Sequence, residues 1–152
     1  MIRLTRLTDY GIMLLTIIAR ERNGATRSAR ELAARSRLPQ PTVSKLLKAL
    51  AHGGLLETRR GVRGGFTLAK PAEQVTVADI IAALEGPIGI TECTAHPGQC
   101  GVEPMCPVRT NWRKINRAVL EALRGISLAE MARPISFDAK PVELRRSAGN
   151  GG

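Results

Sequence analysis

Every cysteine in the chain falls between Glu92 and Val108: Cys93, Cys100 and Cys106, spaced C-x6-C-x5-C. Pro97, Gly98, Gly101, Pro104 and Pro107 interrupt the backbone around them, which predicts a loop rather than a helix or strand. A loop lets three thiols converge on one point. Thiolates are soft ligands that suit iron–sulfur clusters and zinc. Two other readings stand beside a metal or cluster site: a thiol-based redox switch, and three unrelated thiols buried as small hydrophobes. The spacing lacks the tight C-x-x-C knuckle of most zinc sites. An odd number of cysteines fits a reducing compartment better than a disulfide framework.

The chain that carries this loop has 152 residues, enough for one domain, or one domain with an appended helix and tail. At 43% hydrophobic it can bury a real core. Aromatics are only 3%, with Tyr10, Phe66, Trp112 and Phe137 the full set, which argues against a stacking platform for single-stranded nucleic acid. Lys and Arg number 23 against 13 Asp and Glu, a net charge of +10. Such an excess suits a polyanion, either duplex DNA or an anionic membrane surface. No apolar run approaches the ~18 residues of a membrane span. The N-terminal stretch has Arg3 and Arg6, but Thr5, Thr8 and Asp9 lie inside it and no small-residue cleavage site follows. It reads as the first helix of a cytoplasmic protein. Enzyme chemistry finds no support: no glycine fingerprint for a nucleotide follows a strand, no Ser/His/Asp set occurs, and His52 and His96 are the only histidines.

The elements around the loop follow from periodicity and caps. A first helix is predicted from Thr8 to about Arg22, with Leu7, Tyr10, Gly11, Leu14, Ile17 and Ile18 on one face and Asn23-Gly24 as its end. Ser28-Ala29-Arg30-Glu31 matches the S-x-x-E capping box and predicts a short helix from Ala29 to Arg35. The next helix starts near Pro41, where the missing N–H costs nothing, and ends at Gly53-Gly54. Its apolar face is Val43, Leu46, Leu47 and Leu50; its other face shows Thr42, Ser44, Lys45, Lys48 and Ala49. Two short helices joined by a tight turn, the second polar and basic outside, make a helix-turn-helix.

Leu55–Thr58 and Phe66–Leu68 then read as a hairpin, a wing, whose loop holds Arg59, Arg60 and Arg63 among glycines. Arginines on such a tip suit phosphate contacts or the minor groove. Pro41, Thr42, Ser44, Lys45 and Lys48 with the three wing arginines are the candidate DNA-binding residues. Thr76-Val77-Ala78-Asp79 opens a helix through about Leu84 that Gly86-Pro87 ends. Beyond the cysteine loop, a long helix is predicted from Val108 to Leu123. Its stripe of Val108, Trp112, Ile115, Val119 and Leu123 reads either as a dimer seam or as packing within the chain. Ser127-Leu128-Ala129-Glu130 caps a short turn, and Pro, Gly, Lys and Arg dominate from Arg133 on, as in a disordered basic tail. The division is therefore 1–85 for the DNA-binding unit, 86–107 for the cysteine loop, 108–131 for the dimerisation helix and its cap, and 132–152 for the tail. The fold class is mainly α with a small β-hairpin: a winged helix-turn-helix with a long C-terminal dimerisation helix.

In their order along the chain these motifs resemble the IscR/NsrR-like winged-helix regulators. The resemblance rests on Leu4-Thr5-Arg6-Leu7-Thr8-Asp9-Tyr10, the helix-turn-helix, Arg60-Gly61 through Gly64-Gly65-Phe66-Thr67-Leu68-Ala69-Lys70-Pro71, and the cysteine loop before a long helix. Leu84-Glu85-Gly86-Pro87-Ile88, Thr91-Glu92-Cys93 and Asn111-Trp112-Arg113-Lys114-Ile115-Asn116 are most similar to the branch that regulates the SUF iron–sulfur assembly operon. The resemblance implies a homodimer, held by Trp112, Ile115, Val119 and Leu123, that binds a pseudo-palindromic operator in double-stranded DNA. It also implies one iron–sulfur cluster per subunit, 2Fe-2S ahead of 4Fe-4S, with Cys93, Cys100 and Cys106 as ligands. Asp9 matches the aspartate that the nitric-oxide-sensing relatives supply from the partner subunit, and His96 is an alternative fourth ligand. Arg109 stands where the Isc-type regulators have a histidine ligand. The expected function is a repressor that senses cluster or redox status and controls iron–sulfur assembly genes. The alternatives are a nitric-oxide-sensing repressor and a zinc- or thiol-switched regulator of the same fold.

Overall fold

A computed structural model of the chain describes residues 3–21 and 24–134. Helix α1 spans Arg6–Ala19, two residues earlier at its start and three earlier at its end than periodicity predicts. The reason for the early start is Thr5, an N-cap in extended conformation whose side chain accepts from the Thr8 N–H. The buried set of α1 is Thr8, Gly11, Leu14, Leu15 and Ile18. Leu7, expected on the inner face, is instead 42% exposed, because Thr8 is the residue turned inward. Asn23, the expected stop, and most of the expected basic tail (135–152) lie outside the described residues.

Helices α2 (Ala29–Ser36) and α3 (Gln40–His52) form the helix-turn-helix. The Ser28–Glu31 capping box is present in both directions, satisfying two N–H groups that the first turn of α2 would leave orphaned. Arg37, at φ 58, takes the left-handed conformation that turns the chain between the two helices. Val43, Leu46, Leu47 and Leu50 of α3 are all buried, as their spacing requires. Strand β1 (Leu56–Arg59) pairs antiparallel with β2 (Gly65–Leu68), Leu56 opposite Leu68 and Arg59 opposite Gly65. A 3-10 turn at Ala72–Gln74 leads into α4 (Val77–Glu85), whose Thr76–Asp79 capping box forms as the T-x-x-D pattern predicts.

The cysteine segment departs from the expectation of a loop free of helix. Glu92–Ala95 forms a helical turn, α5, and Glu103–Met105 a 3-10 turn. Helix α6 (Arg109–Arg124) and the short α7 (Leu128–Met131) complete the chain. The core gathers Leu14, Leu15, Leu32, Val43, Leu47, Leu50, Leu55, Val75, Ile80 and Leu128, all at or near zero exposure. Each buried aliphatic of this size contributes about 2 kcal/mol. Leu128 arrives from far along the chain: its N–H donates to the Val75 carbonyl at 2.7 Å, and the Val77 N–H donates to the Ile126 carbonyl at 3.0 Å. Gly11 lets α1 and α4 close on each other, since a Cβ there would lie 2.4 Å from Leu84 Cδ1. Among the described residues no helix is long and apolar enough to cross a membrane.

Candidate nucleic-acid interface and cysteine loop

With its apolar face in the core, α3 can offer a partner only its other face. Pro41, Lys45 and Lys48 are exposed there, and Thr42 and Ser44 are half-buried beside them. The wing carries Arg59, Arg60 and Arg63, all exposed, with Val62 fully exposed at the tip. Among the described residues none of these five lysines and arginines enters an ion pair, so each guanidinium or ammonium is free to meet an anion. A partly buried hydroxyl row flanked by unpaired cations is chemically suited to a polyanion that is read along one groove.

The wing does not stand on its own two strands. Arg27, just before α2, bridges to Phe66: the Phe66 N–H donates to the Arg27 carbonyl at 2.8 Å and the Arg27 N–H returns to Phe66 at 3.0 Å. The Thr26 hydroxyl donates to the Arg63 carbonyl at 2.7 Å and holds the wing loop down. Arg27 is itself held by Glu21, 2.6 Å from its guanidinium, and Glu21 also binds Arg35 of α2. The hydrogen bond from Arg27, joined by Arg35, keeps the Glu21 carboxyl below its ordinary range against the opposing effect of burial. Glu21, Thr26 and Arg27 are thus the supports of the candidate interface. Sequence reading missed them because their partners are distant along the chain and no local pattern marks them.

A second carboxylate links the start of α1 to the end of α4. Glu85 accepts from the Thr5 N–H at 3.0 Å and from the Thr8 hydroxyl. These bonds, the Thr8 one foremost, hold its carboxyl below the ordinary range. A carboxylate at a helix N-terminus is also favoured by the helix dipole. Asp9, one residue on, is exposed and takes no side-chain hydrogen bond among the described residues. Thr5, not Asp9, caps α1, so the Asp9 carboxylate is not taken up by the cap.

All three cysteines are free thiols. Cys93 is buried on α5, its Sγ 3.2 Å from the Thr91 hydroxyl. Cys100 and Cys106 are half-buried and sit on either side of Glu103. The segment is tied to α6 at two points. Asn116 accepts from the Ile90 N–H at 3.0 Å and donates to the Ile88 carbonyl at 3.4 Å. Glu103, only 5% exposed, accepts from the Gly98 N–H at 2.7 Å and faces Arg109 and Arg113 of α6 at 3.2 and 3.4 Å. Arg109 is therefore engaged with Glu103. His96, the alternative nitrogen donor of the loop, is exposed.

Three free thiols in one segment are the right donors for a soft metal or an iron–sulfur group. Their expected convergence is not seen within the single chain: among the described residues no three His, Cys, Asp or Glu side chains are close enough to hold one metal ion. The donor set fits in chemical type, and its closure needs a change in the loop or a donor from elsewhere.

Helix α6 has no fully buried residue in the single chain. Trp112, Val119 and Leu123 are half-buried, while Val108 and Ile115 are exposed, Ile115 at 46%. An apolar stripe left this open on a strongly basic helix is a surface awaiting a cover.

The model of the family described as Rrf2, iron-dependent transcriptional regulator, matches residues 4–134 of this chain. Protein rrf2 of Nitratidesulfovibrio vulgaris is 29% identical over 138 residues, covering 91% of this chain and 92% of that protein. Protein aau3 of Rhizobium meliloti is 30% identical over 135 residues, covering 87% of each. Among solved structures, CymR (YrzC), the global cysteine regulator of B. subtilis, superposes with a TM-score of 0.68 at 26% identity, covering 87% of this chain and 97% of that one. IscR of T. potens superposes with a TM-score of 0.64 at 25% identity, covering 86% of this chain and 85% of that one.

Proposed function

Because the chain belongs to the Rrf2 family of transcriptional regulators, whose winged-helix fold it shares, we propose that it is a homodimeric repressor whose hold on operator DNA is set by the state of an iron–sulfur cluster on the cysteine loop. The observation that carries this reading is the placement of the three free thiols: all lie in the one segment that Asn116 and Glu103 fasten to α6. Cys93, Cys100 and Cys106 would hold the group, with Asp9 of the partner subunit as the fourth donor. When bound, such a group supplies a link among thiolates that oxidation or loss of iron can break.

The protein's own residues do the rest. The exposed stripe of α6, centred on Trp112, Ile115, Val119 and Leu123, packs against its copy and sets the distance between the two α3 helices. Half-sites about one helical turn apart tolerate little error in that distance. Ser44 and Lys45 read base edges in the major groove; Pro41 and Thr42 seat the N-terminus of α3; Lys48 and the wing arginines hold phosphates. Loop order is passed to α6 through Asn116 and the Glu103–arginine contacts, and from α6 to the spacing of the recognition helices. Control of iron–sulfur assembly genes is the regulatory role that fits a sensor of this kind.

A thiol-switched regulator is the second reading, favoured by the half-exposed Cys100 and Cys106, which need no metal to react. Anaerobic isolation with iron, sulfide and zinc analysis separates the two. Iron and sulfide with visible absorbance support the cluster. Stoichiometric zinc, or a colourless protein whose DNA binding responds to thiol oxidation, overturns it.

A further inference from the structure

Among the described residues, Glu103 is the one carboxylate with 5% exposure or less, and it sits midway between two cysteines. A charge taken out of water is costly unless it is paired, so the chain must fold this segment around it. Its backbone N–H donates to the Cys100 carbonyl at 3.0 Å, and its own carbonyl accepts from the Cys106 N–H at 3.4 Å. One side-chain oxygen takes the Gly98 N–H at 2.7 Å. The other faces α6, where Arg113 Nη2 donates to it at 3.4 Å. Arg109 Nε is 3.2 Å from the same oxygen; it is buried and makes no well-angled hydrogen bond, so its contact with Glu103 is a charge contact. A single residue thus touches the backbone of both cysteines and two cations of the long helix.

We infer that Glu103 is a positioning residue that fixes Cys100 relative to Cys106 and joins that geometry to α6. The inference builds on the reading of the cysteine loop as the sensing element, and assigns the coupling to one side chain. Without the carboxylate, the turn at Glu103–Met105 loses its anchor on Gly98 and its attachment to Arg109 and Arg113. Cys100 and Cys106 then move independently of the helix. Cys93 does not share this fate, since Thr91 opens α5 and Asn116 holds Ile90 just before it.

The test uses the metal-free full chain, so its result does not depend on the presence of a cluster. Glu103→Gln keeps the volume and one acceptor oxygen for the Gly98 N–H, and removes the charge that meets Arg109 and Arg113. Alkylation by N-ethylmaleimide is followed at each cysteine by peptide mass spectrometry. Cys100 and Cys106 should both react about tenfold faster than in the unmodified protein, the factor that 1.4 kcal/mol represents and the low end for a hydrogen bond to a charged group. Cys93 should keep its rate. Should Glu103→Gln fail to fold, the double substitution Arg109→Gln and Arg113→Gln removes the same contacts from the helix side and should give the same pattern. Equal acceleration at all three cysteines would mean general loosening and would overturn the proposal, as would unchanged rates at Cys100 and Cys106. Absence of iron from the anaerobically isolated protein would sink the cluster reading and leave this result standing.

Discussion

Gly65→Ala is the sharpest probe of how the wing is supported. Gly65 sits at φ +148, a region side chains rarely adopt, and a Cβ there would lie 2.4 Å from the Arg27 carbonyl oxygen and 2.5 Å from its carbon. Those atoms are backbone and cannot swing aside. Relief requires the Arg27 segment and the wing to part, which breaks the two hydrogen bonds between Arg27 and Phe66. Two such bonds contribute about 1 kcal/mol each, and strain retained at the residue adds ~1 kcal/mol or more. The sum is about 3 kcal/mol, or a melting point lower by roughly 10 °C for a domain of this size. The displaced wing also carries Arg59, Arg60 and Arg63 off the duplex. At about 0.9 per phosphate, three lost contacts flatten the log K against log salt plot by up to ~2.7 per subunit. Thermal melts and fluorescence anisotropy titrations over a salt series read both effects. Gly61, at φ +111 with open space around it, is the control: Gly61→Ala carries the backbone strain of ~1 kcal/mol without the clash, and should lower the melting point only about a third as much. A Gly65→Ala protein with an unaltered melting point and salt slope would refute the argument.

Arg63→Ala should weaken binding to all DNA sequences alike, whereas changes at Ser44 or Lys45 should alter sequence preference; competition titrations with operator and random duplexes distinguish the two. Trp112→Glu combined with Ile115→Glu should yield monomers in sedimentation velocity and abolish operator binding; a monodisperse monomer for the unmodified protein at micromolar concentration would defeat the seam. Replacing any one of Cys93, Cys100 and Cys106 with Ala should strip the visible absorbance, and Asp9→Ala should weaken cluster retention less; unchanged absorbance and DNA binding in Cys100→Ala would contradict the site. Glu21 has its carboxyl held below the ordinary value of 4.5, so its stabilisation is fully present above that value and is lost as pH falls through the lower folded one. Acid unfolding of Glu21→Gln should therefore be less steep than that of the unmodified protein in that window.

What the sequence made legible was what short range determines. The capping boxes at Ser28, Thr76 and Ser127 each span four residues, and all three form. The four buried positions of α3 follow from its 3.6-residue repeat. The misses have the opposite character. Thr8 is absent from the apolar face that periodicity predicts for the first helix, yet it is fully buried, its hydroxyl donating to Glu85 at the far end of α4. Glu103 looks like an ordinary loop charge until Arg109 and Arg113 come round on the next helix. Cys93 sits on a helical turn because Thr91 and Thr94 cap it reciprocally, a weaker form of the S-x-x-E signal. The expected convergence of the thiols rests on their sharing one Gly/Pro-rich segment, and a shared segment does not fix where a turn like Glu103–Met105 points its neighbours.

The position of Leu128 bears on how the chain comes to be folded. Its side chain fills the core beneath α1, and the Thr76–Ser127 bridge fastens it beside the start of α4. The N-terminal helices and the wing are synthesised first, but their core lacks its last side chain until α6 has also emerged. During translation, which adds about 5–20 residues each second, the cysteines leave the ribosome before that core is sealed. When Leu128 docks, the ends of the intervening segment are brought together, and the cysteines and α6 become one long loop closed at its base. Closing a loop of that length costs little more than closing one half as long. The docking of one leucine is thus the event that turns an open chain into a DNA-binding core with the cysteine segment attached at both ends.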